Sequence, residues 1–123
     1  MHEATIAMAI VDQAAAVAMQ HGAARITAIE VELGALKQVV PEALDLAFEA
    51  CAEGTLAEGA VLSQTVRPAV ALCRPCGREF EPDLTALSFA CPSCGQADVE
   101  IIAGHEIVLK AVECDTPAET PLP

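Results

Sequence analysis

Two Cys-x-x-Cys pairs, Cys73-Arg74-Pro75-Cys76-Gly77 and Cys91-Pro92-Ser93-Cys94-Gly95, lie with fourteen residues between them. No other feature limits the fold so strongly, because this spacing lets four thiolates meet around one tetrahedral ion, as in a zinc ribbon. In each pair the glycine permits the tight turn after the second sulfur, and backbone amides of the turn can point at the sulfurs. A redox dithiol needs only one pair, and neither pair opens a helix after a strand as a thioredoxin-like motif does. Two disulfides would require an oxidising compartment. The N-terminus shows no basic region followed by an apolar core and a small-residue cleavage site, so a reducing, cytoplasmic setting is expected. Iron in a rubredoxin-like site calls for an aromatic surround, which three Phe, no Tyr and no Trp do not supply. Zinc held by Cys73, Cys76, Cys91 and Cys94 is therefore the expectation. Four sulfurs close the coordination shell, so this ion should build structure rather than react, contributing on the order of 10 kcal/mol to folding of the module.

A chain of 123 residues can hold one ordinary domain, or a small core plus a metal-stapled module that could not bury enough apolar surface unaided. The second arrangement is expected. Eighteen acidic against six basic residues give a formal charge of -12, and four thiolates around a divalent ion make it more negative still. Nucleic-acid binding needs clustered Lys and Arg and stacking aromatics, both scarce here, so that class is set aside. The field instead attracts cations and favours a basic partner surface. Charged or polar residues interrupt every apolar run before the roughly 20 residues needed to cross a bilayer, so a soluble protein is expected. No serine or threonine has a companion histidine or glycine-rich elbow, and no phosphate loop is present, so no catalytic residues are assigned and the chain is not read as an enzyme.

Helical periodicity runs from about His2 to His21, with Ile6, Ile10, Ala14 and Val17 on one face and Gly22 as the stop. Ile29, Val31 and Leu33 then alternate with Glu30 and Glu32, the pattern of a strand with one face buried, ended by Gly34. Pro41 suits the first turn of a second helix carrying Leu44, Ala47, Phe48 and Cys51 on one face. Val61 to Val66 reads as a second strand, and Ala69 to Leu72 leads into the first metal knuckle. Ile107, Leu109 and Ala111 alternate with Val108, Lys110 and Val112 in a third strand. The expected fold is α+β: a small sheet of about three strands with two packed helices, from residues 1–71 and 103–114, plus an inserted ribbon at 72–102. Residues 115–123, with three Pro and no spaced apolar positions, read as a disordered tail. Cys51 is expected to be a small core residue, His21 a cap on free carbonyls at the first helix end, and His105 an exposed polar side chain.

Because the sulfur site is closed, the open chemistry lies at the chain's beginning, Met1-His2-Glu3. A histidine at position two brings the Met1 amine, the His2 amide and the His2 imidazole within reach of one ion, closing two fused chelate rings. Deprotonating a backbone amide is costly, and the ions that offset it are those favouring square-planar nitrogen donors, chiefly Ni(II) and Cu(II). A fourth donor could come from the Glu3 amide or carboxylate, from His105, or from a partner protein. The ordinary alternative is a solvated terminus, with Glu3 complementing the dipole of the first helix.

Together Met1-His2-Glu3, the segment Val31-Glu32-Leu33-Gly34-Ala35-Leu36, Phe48-Glu49, the paired knuckles and Gly104-His105-Glu106-Ile107 resemble the HypA family of hydrogenase nickel incorporation proteins. The resemblance covers the chain except its tail. It implies an α/β nickel domain joined to a zinc domain, nickel carried as cargo on His2 with Glu3 in support, and structural zinc on the four cysteines. The implied partners are a HypB-type GTPase and the large subunit of [NiFe]-hydrogenase, and some relatives of this kind serve urease as well. A zinc-ribbon adaptor that binds protein partners without metal cargo is the competing reading.

Overall fold

The structure, a computed structural model, describes residues 2–115 apart from the side chain of His2. Met1 and residues 116–123 lie outside the described residues, and with them most of the segment expected to be a disordered tail. The chain divides into two compact units, one of residues 1–32, 39–65 and 108–123, the other of residues 33–38 and 66–107. Among the described residues the architecture is α+β, with two α-helices and two three-stranded sheets.

In the first unit, α1 (His2–Gln20) is a run of strong helix formers. Ala7, Ile10, Val11, Ala14 and Ala18 recur every three or four residues and are buried. The small alanines let α2 (Pro41–Ala52) approach closely, and it buries Leu44, Phe48 and Ala52, each four residues from the next. Helix α1 ends by passing Gly22 through φ +68°, which glycine adopts without a Cβ penalty. The Gly22 N–H then donates to the Met19 carbonyl at 3.1 Å and the Ala23 N–H to the Ala18 carbonyl at 2.9 Å, a Schellman closure. These backbone amides do the capping expected of His21, whose side chain is exposed.

The first sheet has the order β2-β1-β6, with β1 at Arg25–Gly34, β2 at Val61–Arg67 and β6 at Ile107–Asp115. Strands β1 and β6 run antiparallel: Ala24 N–H donates to the Asp115 carbonyl at 2.9 Å and Gly34 N–H to the Glu106 carbonyl at 2.7 Å. Alternation holds from Ile29 to Leu33, but Thr27 and Ala28 are both half-buried before Ile26 turns inward again. Strand β6 slips likewise: Lys110 and Ala111 are both exposed and Val112 is half-buried, so Ala111 faces out where strict alternation predicts it inward. A two-residue period cannot continue through such an irregularity, and each slip moves the following side chains to the opposite face. Gln64 of β2 fastens that strand to α2, its Nε2 donating to the Pro41 carbonyl at 3.1 Å and to Asp45 Oδ1 at 2.7 Å.

The second unit carries the sheet β4-β3-β5, with β3 at Val70–Cys73, β4 at Glu79–Phe80 and β5 at Val99–Ala103. Both pairings are antiparallel, and a register shift between Val70 and Ala71 lets Cys73 stand opposite Val99. The same unit holds a 3-10 turn at Ala35–Lys37. Leu36 N–H donates to the Gly104 carbonyl at 2.9 Å, and the two chain segments meet backbone to backbone. A Cβ at Gly34 would lie 2.3 Å from the Gly104 oxygen, and a Cβ at Gly104, where φ is +90°, would lie 2.4 Å from the Ala69 Cα.

Gly59 shares the left-handed backbone, with φ +80°, but has nothing within 4 Å of a built Cβ. Gly59→Ala should therefore cost the left-handed penalty alone, about 1–2 kcal/mol. Gly104→Ala should cost about 2 kcal/mol more, because backbone has to move. Urea unfolding of both variants measures the difference, and equal losses would show that the close approach at Gly104 is not tight.

Candidate metal centre

Each knuckle is built by the same backbone device. Gly77 N–H donates to the Cys73 carbonyl at 2.7 Å and Gly95 N–H to the Cys91 carbonyl at 2.8 Å, while Cys73 N–H reaches the Arg78 carbonyl and Cys91 N–H the Gln96 carbonyl, both at 2.8 Å. Gly77 and Gly95 sit at φ +72° and +74°, so the tight turn after each second sulfur rests on glycine. As a result the first cysteine of each pair is buried and the second exposed. Arg74 clamps the first knuckle to β5, its Nη1 2.7 Å from Asp98 Oδ1 and its N–H 3.0 Å from the Asp98 carbonyl. Arg78 bonds across to Ser93 of the other knuckle.

The four Sγ atoms all lie within 4.8 Å of one another, and no other group of three or more His, Cys, Asp or Glu side chains converges in this way among the described residues. Cys73 and Cys94 sulfurs are 3.5 Å apart, and those of Cys76 and Cys91 3.7 Å. A tetrahedral ion with sulfur at about 2.3 Å needs sulfur–sulfur edges of about 3.8 Å, so this donor set fits zinc. These separations are far too long for disulfides, and all six cysteines are free thiols. Cys51 and Cys114 stand apart from the cluster, both half-buried, Cys51 on α2 beside a cavity of about 310 Å³ that Met8, Val11, Asp12 and Thr55 also line.

Protons and metal compete for these sulfurs. The Cys76 N–H favours the Cys73 thiolate, but burial and the three neighbouring sulfurs outweigh it and push that thiol up to about 12. The N–H groups of Cys94 and Ser93 favour the Cys91 thiolate more than burial opposes it and hold that thiol down to about 7. Cys91 therefore ionises before Cys73, and four thiolates together require a cation at their centre.

At the other candidate site, Glu3 lies in the first turn of α1 and is half-buried. Its Oε2 accepts the Val40 N–H at 3.2 Å. That backbone bond, followed by the bond from its own N–H, holds the Glu3 carboxyl below the usual carboxylate range. Met1 and the His2 side chain fall outside the described residues. His105 is exposed, with Nε2 3.6 Å from Glu106 Oε1. Sequence reasoning found every cysteine of the cluster but missed the Val40 contact, since a main-chain donor leaves no trace in residue type.

Because ligation needs thiolates, metal affinity at the sulfur cluster should fall as pH falls. Below pH 7 the metal-free cluster is mostly protonated, and loading one ion should release about three protons or more. Competition with a chromophoric chelator between pH 6 and 7 should give a slope of log affinity against pH between about three and about four, and a slope near zero would show that the sulfurs are not the ligands. Stripping the ion with excess chelator should increase amide exchange throughout β3, β4 and β5 while α1 and α2 stay protected.

The sequence model of the family described as "Hydrogenase/urease nickel incorporation, metallochaperone, hypA" matches residues 1–114. The chain is 40% identical over 112 residues to the hydrogenase maturation factor HypA of Chlorobium limicola, covering 91% of this chain and 95% of that protein. It is 44% identical over 110 residues to the hydrogenase maturation factor HypA of Deinococcus radiodurans, 89% of each chain. Among solved structures, the solution structure of the Ni metallochaperone HypA from Helicobacter pylori superposes with a TM-score of 0.69 at 22% identity, covering 93% of this chain and 97% of that one. At that identity the likeness concerns the fold, whereas the family match and the closer relatives establish kinship: the chain belongs to the HypA family of nickel-incorporation metallochaperones for hydrogenase and urease.

Proposed function

We propose that this protein binds Ni(II) at its N-terminus on Met1 and His2, with Glu3 in support, and delivers it to the large subunit of [NiFe]-hydrogenase, acting in the cytoplasm with a HypB-type GTPase. Zinc on Cys73, Cys76, Cys91 and Cys94 is structural, and the protein has no catalytic role of its own. In this reading residues 1–71 and 103–114 form the nickel domain, and 72–102 the zinc ribbon. The observation that carries the proposal is the completeness of the sulfur cluster: four thiols converge on one point, so an ion there keeps no open position for exchange. Family membership supplies nickel as the cargo class, and the nitrogen-rich start of the chain supplies donors that suit it.

Delivery requires a site that discriminates and still lets go. Amine, amide and imidazole on consecutive residues form a planar set open to attack from above and below, so an incoming ligand can displace them one at a time. The imidazole binds only when neutral and the amine and amide only when deprotonated. Nickel affinity should therefore drop as pH falls toward about 6.5, the ordinary histidine value.

Nickel titration of protein whose terminus is verified by mass spectrometry tests the proposal. His2→Ala, or acetylation of the Met1 amine, should abolish the planar nitrogen-rich nickel spectrum while zinc content and helicity stay unchanged. Nickel uptake unaltered by acetylation would sink the site, and partner binding without any nickel at His2 would favour the adaptor.

A further inference from the structure

We infer that Glu3 is a positioning residue: its carboxylate pins the first turn of α1 to the residue that caps α2, and it is not itself a donor to the cargo ion. The inference rests on the nickel site proposed above and assigns the role of one of its three residues. Glu3 Oε2 accepts the Val40 N–H across 37 residues of sequence, at 3.2 Å. Val40 is the N-cap of α2, with φ -86° and ψ 114° and no side-chain cap, and Pro41 follows it with no N–H to offer. The carboxylate thus sits at the first turn of its own helix and beside the start of a second one. Both helix ends carry partial positive charge, which favours an anion there.

The consequence bears on the cargo. A chelate formed by the first residues of a chain must order them, and that ordering weakens binding unless it is already in place. A first turn tied to α2 presents His2 from a fixed helical start, so less freedom is lost when the ion arrives. A carboxylate that left Val40 to join the metal plane would give up this order and leave the Val40 N–H without its partner.

Two substitutions separate a tether from a ligand. In Glu3→Gln the amide oxygen can still accept the Val40 N–H, but the anionic donor is gone. In Val40→Pro the carboxylate is intact, but the N–H is gone, and the observed φ of -86° lies close to what proline adopts. Nickel titrations of the full chain with an unblocked terminus should leave Glu3→Gln within about threefold of wild type, with the same visible absorption and circular dichroism bands. Val40→Pro and Glu3→Ala should each lose about tenfold in affinity, the scale of one such hydrogen bond, again with unchanged band positions. Zinc content and far-ultraviolet dichroism report that each variant is folded. The inference is overturned if Glu3→Gln loses as much as Glu3→Ala with shifted bands, or if Val40→Pro binds like wild type. Failure of the N-terminal site itself reads out separately, as wild-type nickel binding that survives acetylation.

Discussion

Four sulfur atoms stand where the second unit would otherwise need a hydrophobic core. Its buried side chains are few: Leu33, Ala69, Ala71, Pro82, Cys73 and Cys91, so two of the six are members of the cluster. By contrast the first unit buries Ile10, Val11, Ile26, Ile29, Val31, Leu44 and Phe48 along two helices and a sheet. Apolar burial at about 25 cal/mol per Å² can hold the first unit together, but strands of two to five residues with so little beneath them cannot close on that basis. Everything else in the second unit follows from bringing the sulfurs together. The glycines after each pair make the turns, the register shift at Val70 sets Cys73 in place, and Arg74 and Arg78 tie knuckle to strand and knuckle to knuckle. Within the cluster the N–H groups of Cys94 and Ser93 hold the Cys91 thiol down to about 7, while burial and the neighbouring sulfurs, against the Cys76 N–H, push the Cys73 thiol up to about 12.

Much of this was legible from residue patterns. Cys-x-x-Cys-Gly repeated once is a local code, and it specified all four members of the cluster because the turn geometry needed at each knuckle is written within five residues. The two helices were legible because their apolar positions repeat every three to four residues, and Gly22 and Pro41 mark an end and a beginning. What escaped was non-local. Strand β1 starts at Arg25, four residues before the alternation at Ile29 begins, because the slip at Thr27 and Ala28 erases the two-residue period. Strand β4 is two residues long and has no pattern to read. The backbone contact of Gly34 with Gly104 joins positions seventy residues apart, and only a third dimension explains why neither tolerates a side chain. His21 misled for a simpler reason: a histidine at a helix end is a plausible cap, but the two amides following it reach the carbonyls first.

The two candidate metal sites differ in the property that matters for transfer. A tetrahedral set of four thiolates from two rigid turns can release its ion only by breaking the fold that presents it, since the turns and the sulfurs hold each other. Donors proposed on the first residues of the chain have the opposite character: dissociating one of them costs no tertiary structure, because the buried side chains of the first unit begin, among the described residues, at Ala7. Such a terminus would ordinarily suffer from too much freedom, as helix ends fray. Here the bond from Val40 to Glu3 limits the fraying at one residue without closing the coordination sphere. In the proposed nickel site, order is thus supplied from outside the metal plane, and the plane stays open to a receiving ligand. A formal charge of -12 acts on the same balance, because a field of that sign raises the local concentration of divalent cations and favours a basic receiving surface. It also screens readily, so both effects should be largest at low ionic strength, leaving the directed nitrogen donors to decide which cation is kept.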